Sequence, residues 1–185
     1  MAKDTEKVTL GVGDLYLNTV DVGHLKGDVE FTYSVEKTDF KPSNMLGVVK
    51  QFFVGESAAL RASLAELKAA NIRLAMGMTT AVSTNSSFPA YDPSSYVVPS
   101  GSSYDVLHFG GETESWEYSL RFEHTREDGK KIIIVLYKAV SATGLTLPFH
   151  ETDINIQDVE FRGLADATRT KGDQIGFLAE QVTSA

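Results

Sequence analysis

Hydrophobic and polar residues alternate strictly along the segment DVEFTYSVEK, residues 28–37. One face of this segment would carry four apolar side chains: Val29, Phe31, Tyr33 and Val35. The other would carry acids and hydroxyls: Glu30, Thr32, Ser34 and Glu36. Successive side chains of a strand point to opposite sides of the sheet, so this pattern predicts a half-buried antiparallel strand. Its apolar face should pack on a core, which leaves open what the polar row is for.

Short apolar stretches separated by turn residues occur at both ends of the chain. Near the N-terminus they are punctuated by Gly, Asn and Asp, and Asn18-Thr19 is a candidate tight turn. Near the C-terminus, apolar residues alternate from Ile154 to Phe161, and a turn at Lys171-Gly172-Asp173 leads to a last apolar strand. Both regions therefore predict antiparallel strands.

A β-hairpin is predicted around Asp128-Gly129, a dipeptide typical of two-residue turns. That turn would place Phe122 opposite Val135 on the core face. The segment IIIVLY is apolar on both sides, so its second face must also be covered. We expect a subunit or helix interface formed by four residues of that second face: Arg121, Glu123, Ile134 and Leu136.

One amphipathic helix is predicted at about residues 57–74, where Ala, Leu, Glu and Lys predominate and Gly and Pro are absent. Leu60, Leu64, Leu67 and Leu74 would lie near one face, and Ser57 is a candidate N-cap. No repeat or change of composition marks a second domain. The sequence thus predicts one domain over residues 1–185, mainly β (α+β), with an antiparallel sheet and one flanking helix.

A Ser- and Pro-rich segment at about residues 78–111 is expected to be an irregular insertion. It contains Phe88, Tyr91 and Tyr96, which argues for packing against something, such as a neighbouring subunit. A surface loop is the alternative.

Composition narrows the function classes. The chain has no cysteine, which excludes disulfides and thiolate chemistry, and its formal net charge is −8, with 25 acidic and 17 basic residues. Tight nucleic-acid binders cluster Lys and Arg, whereas an acidic surface repels DNA. The N-terminus has no apolar signal core and no run is long enough to cross a bilayer, so we expect synthesis in the cytoplasm and no membrane partner.

Candidate catalytic chemistry is sparse. Gly11-Val12-Gly13 begins like a dinucleotide-binding motif, but Tyr16 takes the place of the third glycine and a strand follows. The four histidines, His24, His108, His124 and His150, lack the paired spacing of zinc ligands. We therefore expect neither enzymatic activity nor a cofactor or metal.

Several segments resemble the major tail tube proteins of long-tailed bacteriophages. They are VTLGVGDLYLNTVDVGHLKGDVEFTYSVE (8–36), FFVGESAALRASLAELKAANIRLAMG (52–77), FEHTREDGKKIIIVLYKA (122–139) and DVEFRGLADATRTKGDQIGFL (158–178). The resemblance implies a β-sandwich or barrel-like domain, six copies of which form a ring whose inner strands join into one barrel. Rings stack into a tube, the conduit for DNA ejection. Related tubes occur in contractile tails, pyocin-like particles and type VI secretion systems.

This resemblance gives the polar row an expected role. Glu30, Thr32, Ser34 and Glu36 would line the lumen, where an acidic wall without Lys or Arg lets DNA pass without adhering. An inter-ring stacking loop would contain Phe40, Lys41, Pro42 and Met45. The implied partners are further copies of the chain, tape-measure, baseplate or tail-tip and tail-terminator proteins, and a sheath protein if the tail contracts. The implied location is the virion tail.

Two other hypotheses stay open on the sequence. One is a secreted, type VI-like tube protein that stops at rings. The other is a non-catalytic β-sandwich binding module with Tyr91, Tyr96 and Trp116 as its recognition surface.

Overall fold

A computed structural model describes residues 13–79, 81–85, 103–110, 115–149 and 151–182. The first half contains β1 (Asp14–Leu17), β2 (Val20–Asp21), β3 (Glu30–Phe40), β4 (Lys50–Leu64) and the helix α1 (Ala69–Ala75). The second half contains β5 (Ser83–Asn85), β6 (Tyr104–Val106), β7 (Tyr118–Thr125), β8 (Lys131–Ser141), β9 (Gln157–Leu164) and β10 (Gly176–Glu180).

Eight of these strands form one antiparallel sheet in the order β2-β1-β7-β8-β9-β4-β3, with β10 also paired to β8. Strand β8 pairs with β10 along Ile132–Leu136 and with β9 along Lys138–Ser141. The predicted mainly β fold with an antiparallel sheet and one helix is confirmed.

The core is built from alternate residues of five strands, β1, β4, β7, β8 and β9, together with the helix. Its fully buried members include Leu15, Leu17, Leu60, Leu64, Leu120, Leu136 and Phe161, and Leu74 and Ala75 of α1 pack on them. Full burial of each such leucine contributes about 1.5–3 kcal/mol. This core fixes which face of each strand is left for solvent or for partners.

The helix is shorter than predicted, because residues 57–64 belong to strand β4. Ala58, Leu60, Ala62 and Leu64 are all buried, which is a period of two rather than of 3.6. Pairing to β3 on one side and β9 on the other outweighs the modest local helix preference of Ala and Leu. The helix starts at Ala69, with Lys68 rather than Ser57 at its N-cap.

The loop of the β7–β8 hairpin is one residue longer than predicted. Arg126 N–H donates to Lys130 O and Gly129 has φ +76°, so the loop consists of Glu127, Asp128 and Gly129 instead of two residues. Leu120 therefore faces Leu136, and Phe122 faces Ile134. Because side chains alternate, this shift moves Ile134 and Leu136 into the core.

The segment 78–111 is partly regular. Within the segment predicted as an irregular insertion, Ser83–Asn85 and Tyr104–Val106 pair as a two-stranded antiparallel sheet. Phe88, Tyr91 and Tyr96 lie outside the described residues. The predicted turn at Asn18-Thr19 is confirmed: φ is +48° and +70° at these residues, and Leu17 pairs with Val20.

Candidate assembly surfaces

The polar row of β3 is on the surface. Glu30, Thr32, Ser34 and Glu36 are all exposed and face the same side of the sheet. Directly opposite them on β4 are Arg61, Ala59, Ser57 and Gly55, in that order. Since opposite residues of an antiparallel pair share a face, these residues belong to one surface, which we call the polar face.

Two arginines also lie on the polar face. Arg61 Nε is 2.9 Å from Glu160 Oε2, and Arg162 Nε is 3.3 Å from Glu160 Oε1. The hydrogen bond from Arg61, helped by Arg162, holds the pKa of Glu160 below its ordinary value. Nearby, Ser63 Oγ donates to Asp158 Oδ1 at 2.5 Å. The polar face thus carries both acidic and basic side chains. The prediction of an acidic face did not include Arg61, because Arg61 lies in a segment predicted to be helical.

The outer halves of β3 and β4 project beyond the rest of the sheet. Strand β9 pairs with β4 only from Ala59 onward, so the segment before it pairs with β3 alone. Past an irregularity between Glu36 and Lys37, the pairing continues from Lys37↔Phe53 to Phe40↔Lys50. We call residues 37–53 the arm.

The arm has apolar side chains on both faces and at its tip. Seven of them are exposed: Phe40, Met45, Leu46, Val48, Val49, Phe52 and Phe53. Lysine ammonium groups lie over two of the rings, Lys37 at 5.2 Å from the Phe53 centroid and Lys50 at 4.8 Å from the Phe52 centroid. An exposed apolar set of this size in one hairpin marks an interaction surface.

The predicted stacking loop falls at the tip of the arm. Phe40 and Lys41 are exposed, Pro42 is half-buried and its carbonyl accepts a hydrogen bond from Met45 N–H at 3.1 Å. The sequence prediction named Phe40 and Met45 but missed the apolar residues on the returning strand, Phe52 and Phe53 among them. Their signal in the sequence is the apolar run VVKQFFV at residues 48–54.

The four residues predicted to form one interface do not share a surface. Ile134 and Leu136 are core residues, whereas Arg121 is exposed and faces Val135. Arg121 lies 4.5 Å from the Tyr16 ring centroid and 3.1 Å from Glu123 Oε1. This part of the prediction was wrong, because it followed from the one-residue error in the hairpin loop.

A recess lies where the end of β4 meets β1 and β7, and four carboxylates line it: Asp14, Asp21, Glu66 and Glu123. His24 and Leu25 also line it, together with Gly13, Gly23 and Thr125, and the cavity measures about 520 Å³. Lys131 binds Glu123 at 2.7 Å and, with Arg121, holds the pKa of that carboxylate below its ordinary value. We call this feature the acidic recess.

The loop between β9 and β10 is held against β8 by three side chains. Tyr137 Oη donates to Asp173 Oδ1 at 2.5 Å, and Arg169 binds Asp173 at 2.9 Å and stacks on the Tyr137 ring. The hydroxyl of Tyr137 and the guanidinium of Arg169 lower the pKa of Asp173. This clamp positions Ile175 and Phe177, which line an apolar groove of about 260 Å³ together with Tyr33 of β3.

The described residues include no group of three or more His, Asp or Glu side chains that could hold a metal. His24 lines the acidic recess and His124 is buried, while His150 lies outside the described residues. Trp116, which the binding-module hypothesis places on a recognition surface, is half-buried, and the Arg73 guanidinium carbon lies 5.0 Å from its ring centroid. No described helix is both long and apolar enough to span a membrane.

Comparison with known proteins adds no relative, since no family model and no curated protein matches the chain.

Proposed function

We propose that this chain is a structural virion protein whose copies form hexameric rings that stack into a phage tail tube. The observation that carries the proposal is the arm, a hairpin that leaves the sheet and exposes seven large apolar side chains. Exposing an apolar surface of this extent to water costs free energy in a monomer, and a partner that covers the surface removes that cost. The sequence resemblance supplies the kind of assembly.

Open sheet edges support ring formation. In the main sheet, β3 is an edge strand of 11 residues. A long edge without proline invites pairing with a strand of another copy. Heterologous contacts of this kind give a closed ring when the rotation between subunits closes.

The polar face is the proposed lumen wall. Around β3 it presents four carboxylates, those of Glu30, Glu36, Asp158 and Glu160, and two guanidiniums, those of Arg61 and Arg162. Glu160 pairs with both arginines, so these three side chains together carry a net charge of +1, and the other three carboxylates bring the net charge of the polar face to −2. A hydrated wall with net negative charge repels DNA and permits its passage.

The proposed partners follow from this role. Copies of the chain stack on one another through the arm, and tape-measure, baseplate or tail-tip and tail-terminator proteins would set the length and the two ends of the tube. A sheath protein would surround the tube in a contractile tail.

Negative-stain electron microscopy of the purified protein at high concentration, with and without a tail-tip extract, tests the proposal. Hollow tubes or stacks of six-fold rings are the expected result. Single rings that never stack would favour the secreted ring-forming alternative. Monomers under both conditions, confirmed by sedimentation, would overturn the proposal in favour of a binding module.

A further inference from the structure

We infer that the arm of one copy docks in the acidic recess of the next copy, so that stacking is a head-to-tail contact governed by charge. This inference rests on the proposed function and deepens it by naming the surface that receives the arm.

Charge separates the arm from the rest of the chain. Residues 37–53 contain three lysines and one aspartate, a net charge of +2. The remaining residues contain 14 basic and 24 acidic side chains, a net charge of −10. The arm is therefore a basic, apolar projection on an acidic body, and an acidic surface of a second copy attracts it.

The acidic recess has the complementary character. Asp14 lies directly opposite Glu123 across the β1–β7 pair, and like charges in that position are mutually destabilising. Lys131 binds Glu123 and also attracts Asp14, and Lys68 pairs with Glu66, but neither Asp14 nor Asp21 forms a direct ion pair within the described part of the chain. A lysine arriving from another copy would relieve this repulsion while Leu25 offers an apolar contact.

The two surfaces lie at opposite ends of one strand. Strand β4 begins in the arm, at Lys50, and ends at Leu64. Glu66, two residues after the end of β4, lines the acidic recess. At about 3.3 Å per residue, β4 is roughly 45 Å long. An arm and a receptor so far apart on the same subunit cannot meet within one copy, and a contact between different surfaces of successive copies propagates as a filament.

The absence of native cysteine permits a direct test. A Lys41→Cys protein and an Asp14→Cys protein are mixed and oxidised, and disulfide-linked species are resolved by non-reducing electrophoresis and mass spectrometry. We expect the yield of the mixed dimer to exceed that of either homodimer at least fivefold. Its yield should fall as the salt concentration is raised, because salt screens the attraction between the two surfaces. The control mixture pairs Lys41→Cys with Glu151→Cys, an exposed acidic position outside the recess, and should give only the statistical amount.

Charge reversal gives a second readout. Asp14→Lys/Asp21→Lys should form rings that do not stack. Combining it with Lys37→Glu/Lys41→Glu/Lys50→Glu in the same chain should restore stacking. Glu117→Lys/Glu151→Lys makes the same charge change elsewhere and should stack normally.

The outcomes separate the two proposals. Tubes from the Asp14→Lys/Asp21→Lys protein, or a statistical mixed dimer, would overturn the docking assignment and leave the tube function intact. A wild-type protein that forms neither rings nor tubes, with or without a tail-tip extract, would overturn the proposed function itself. Binding of the arm to anionic lipid vesicles in place of the mixed dimer would show a membrane ligand and also overturn the inference.

Discussion

Glu30 lies directly opposite Arg61 across the β3–β4 pair, so the acidic row of β3 shares its face with a guanidinium. Arg61 is in turn bound to Glu160 on the next strand. The charge of the polar face is therefore set by three strands, and only one of them was recognised from the sequence as a surface row.

Reversing the two glutamates of the row should block DNA transit. Glu30→Lys/Glu36→Lys changes the face from four carboxylates and two guanidiniums to two carboxylates and four cations, which binds phosphate instead of repelling it. Both side chains are exposed, so folding and tube assembly should be unaffected. Infectivity and DNA-ejection assays of particles carrying the variant measure the effect. The matched control, Glu30→Gln/Glu36→Gln, should eject DNA, and full infectivity of the lysine variant would refute the lumen assignment.

Polar substitutions at the tip of the arm should abolish tubes without unfolding the protein. Met45 is 58% exposed and Leu46 is fully exposed, so Met45→Ser/Leu46→Ser should change the free energy of unfolding by less than about 0.5 kcal/mol per site. Sedimentation and electron microscopy should then show rings or monomers only. Val182→Ser removes an 84% exposed side chain outside the arm and should leave tubes intact. Normal tubes from the tip variant would show that the arm is ordinary surface.

Core substitutions test the register of the β7–β8 hairpin. Leu136 is buried, so Leu136→Ala should lower the free energy of unfolding by about 2–5 kcal/mol. Val135 is half-buried on the other face, so Val135→Ala should lower the free energy of unfolding by only about 1 kcal/mol. Urea denaturation of both variants measures the difference. A larger loss at Val135 would instead support the register that a two-residue turn imposes.

The buried Asn71 side chain offers a test of the helix position. Its Nδ2 donates to the Val22 carbonyl at 2.7 Å and joins α1 to the chain after β2. Asn71→Leu would leave that carbonyl without this donor, and we expect a loss of about 1–3 kcal/mol in thermal or chemical unfolding. Exposed Lys68, at the N-cap without a side-chain cap bond, should tolerate substitution by Ala. Equal stability of the two variants would contradict the placement of α1.

The Tyr137–Arg169–Asp173 clamp predicts an acid dependence. Because folding lowers the pKa of Asp173, the carboxylate stabilises the loop at pH values above the ordinary aspartate pKa of about 3.9. That contribution is lost as the pH falls through the lower folded-state pKa. The carboxyl resonance of Asp173, followed by NMR, should titrate below the ordinary range. Asp173→Asn should remove this part of the pH dependence of unfolding, and an unshifted titration would rule out the clamp.

The sequence by itself determined the elements that depend only on the local pattern of residues. The alternation from Val29 to Glu36 predicted β3 and its exposed row, and Asn18-Thr19 predicted a turn that needs two positive φ values. Both are local properties: a period of two follows from backbone geometry, and the turn type follows from which residues tolerate the left-handed region.

Only the tertiary structure decided the rest, because the deciding contacts are distant in sequence. Residues 57–64 have helix-forming composition, yet they become a strand since β3 and β9 pair with them on both sides. The extra loop residue at Gly129 reversed the faces of β8, and the two-faced apolar run IIIVLY could not reveal the shift. Arg61 lies on the polar face because β4 pairs with β3, and Glu66 and Asp14 both line the acidic recess. Neither arrangement can be inferred from residues that are close in sequence.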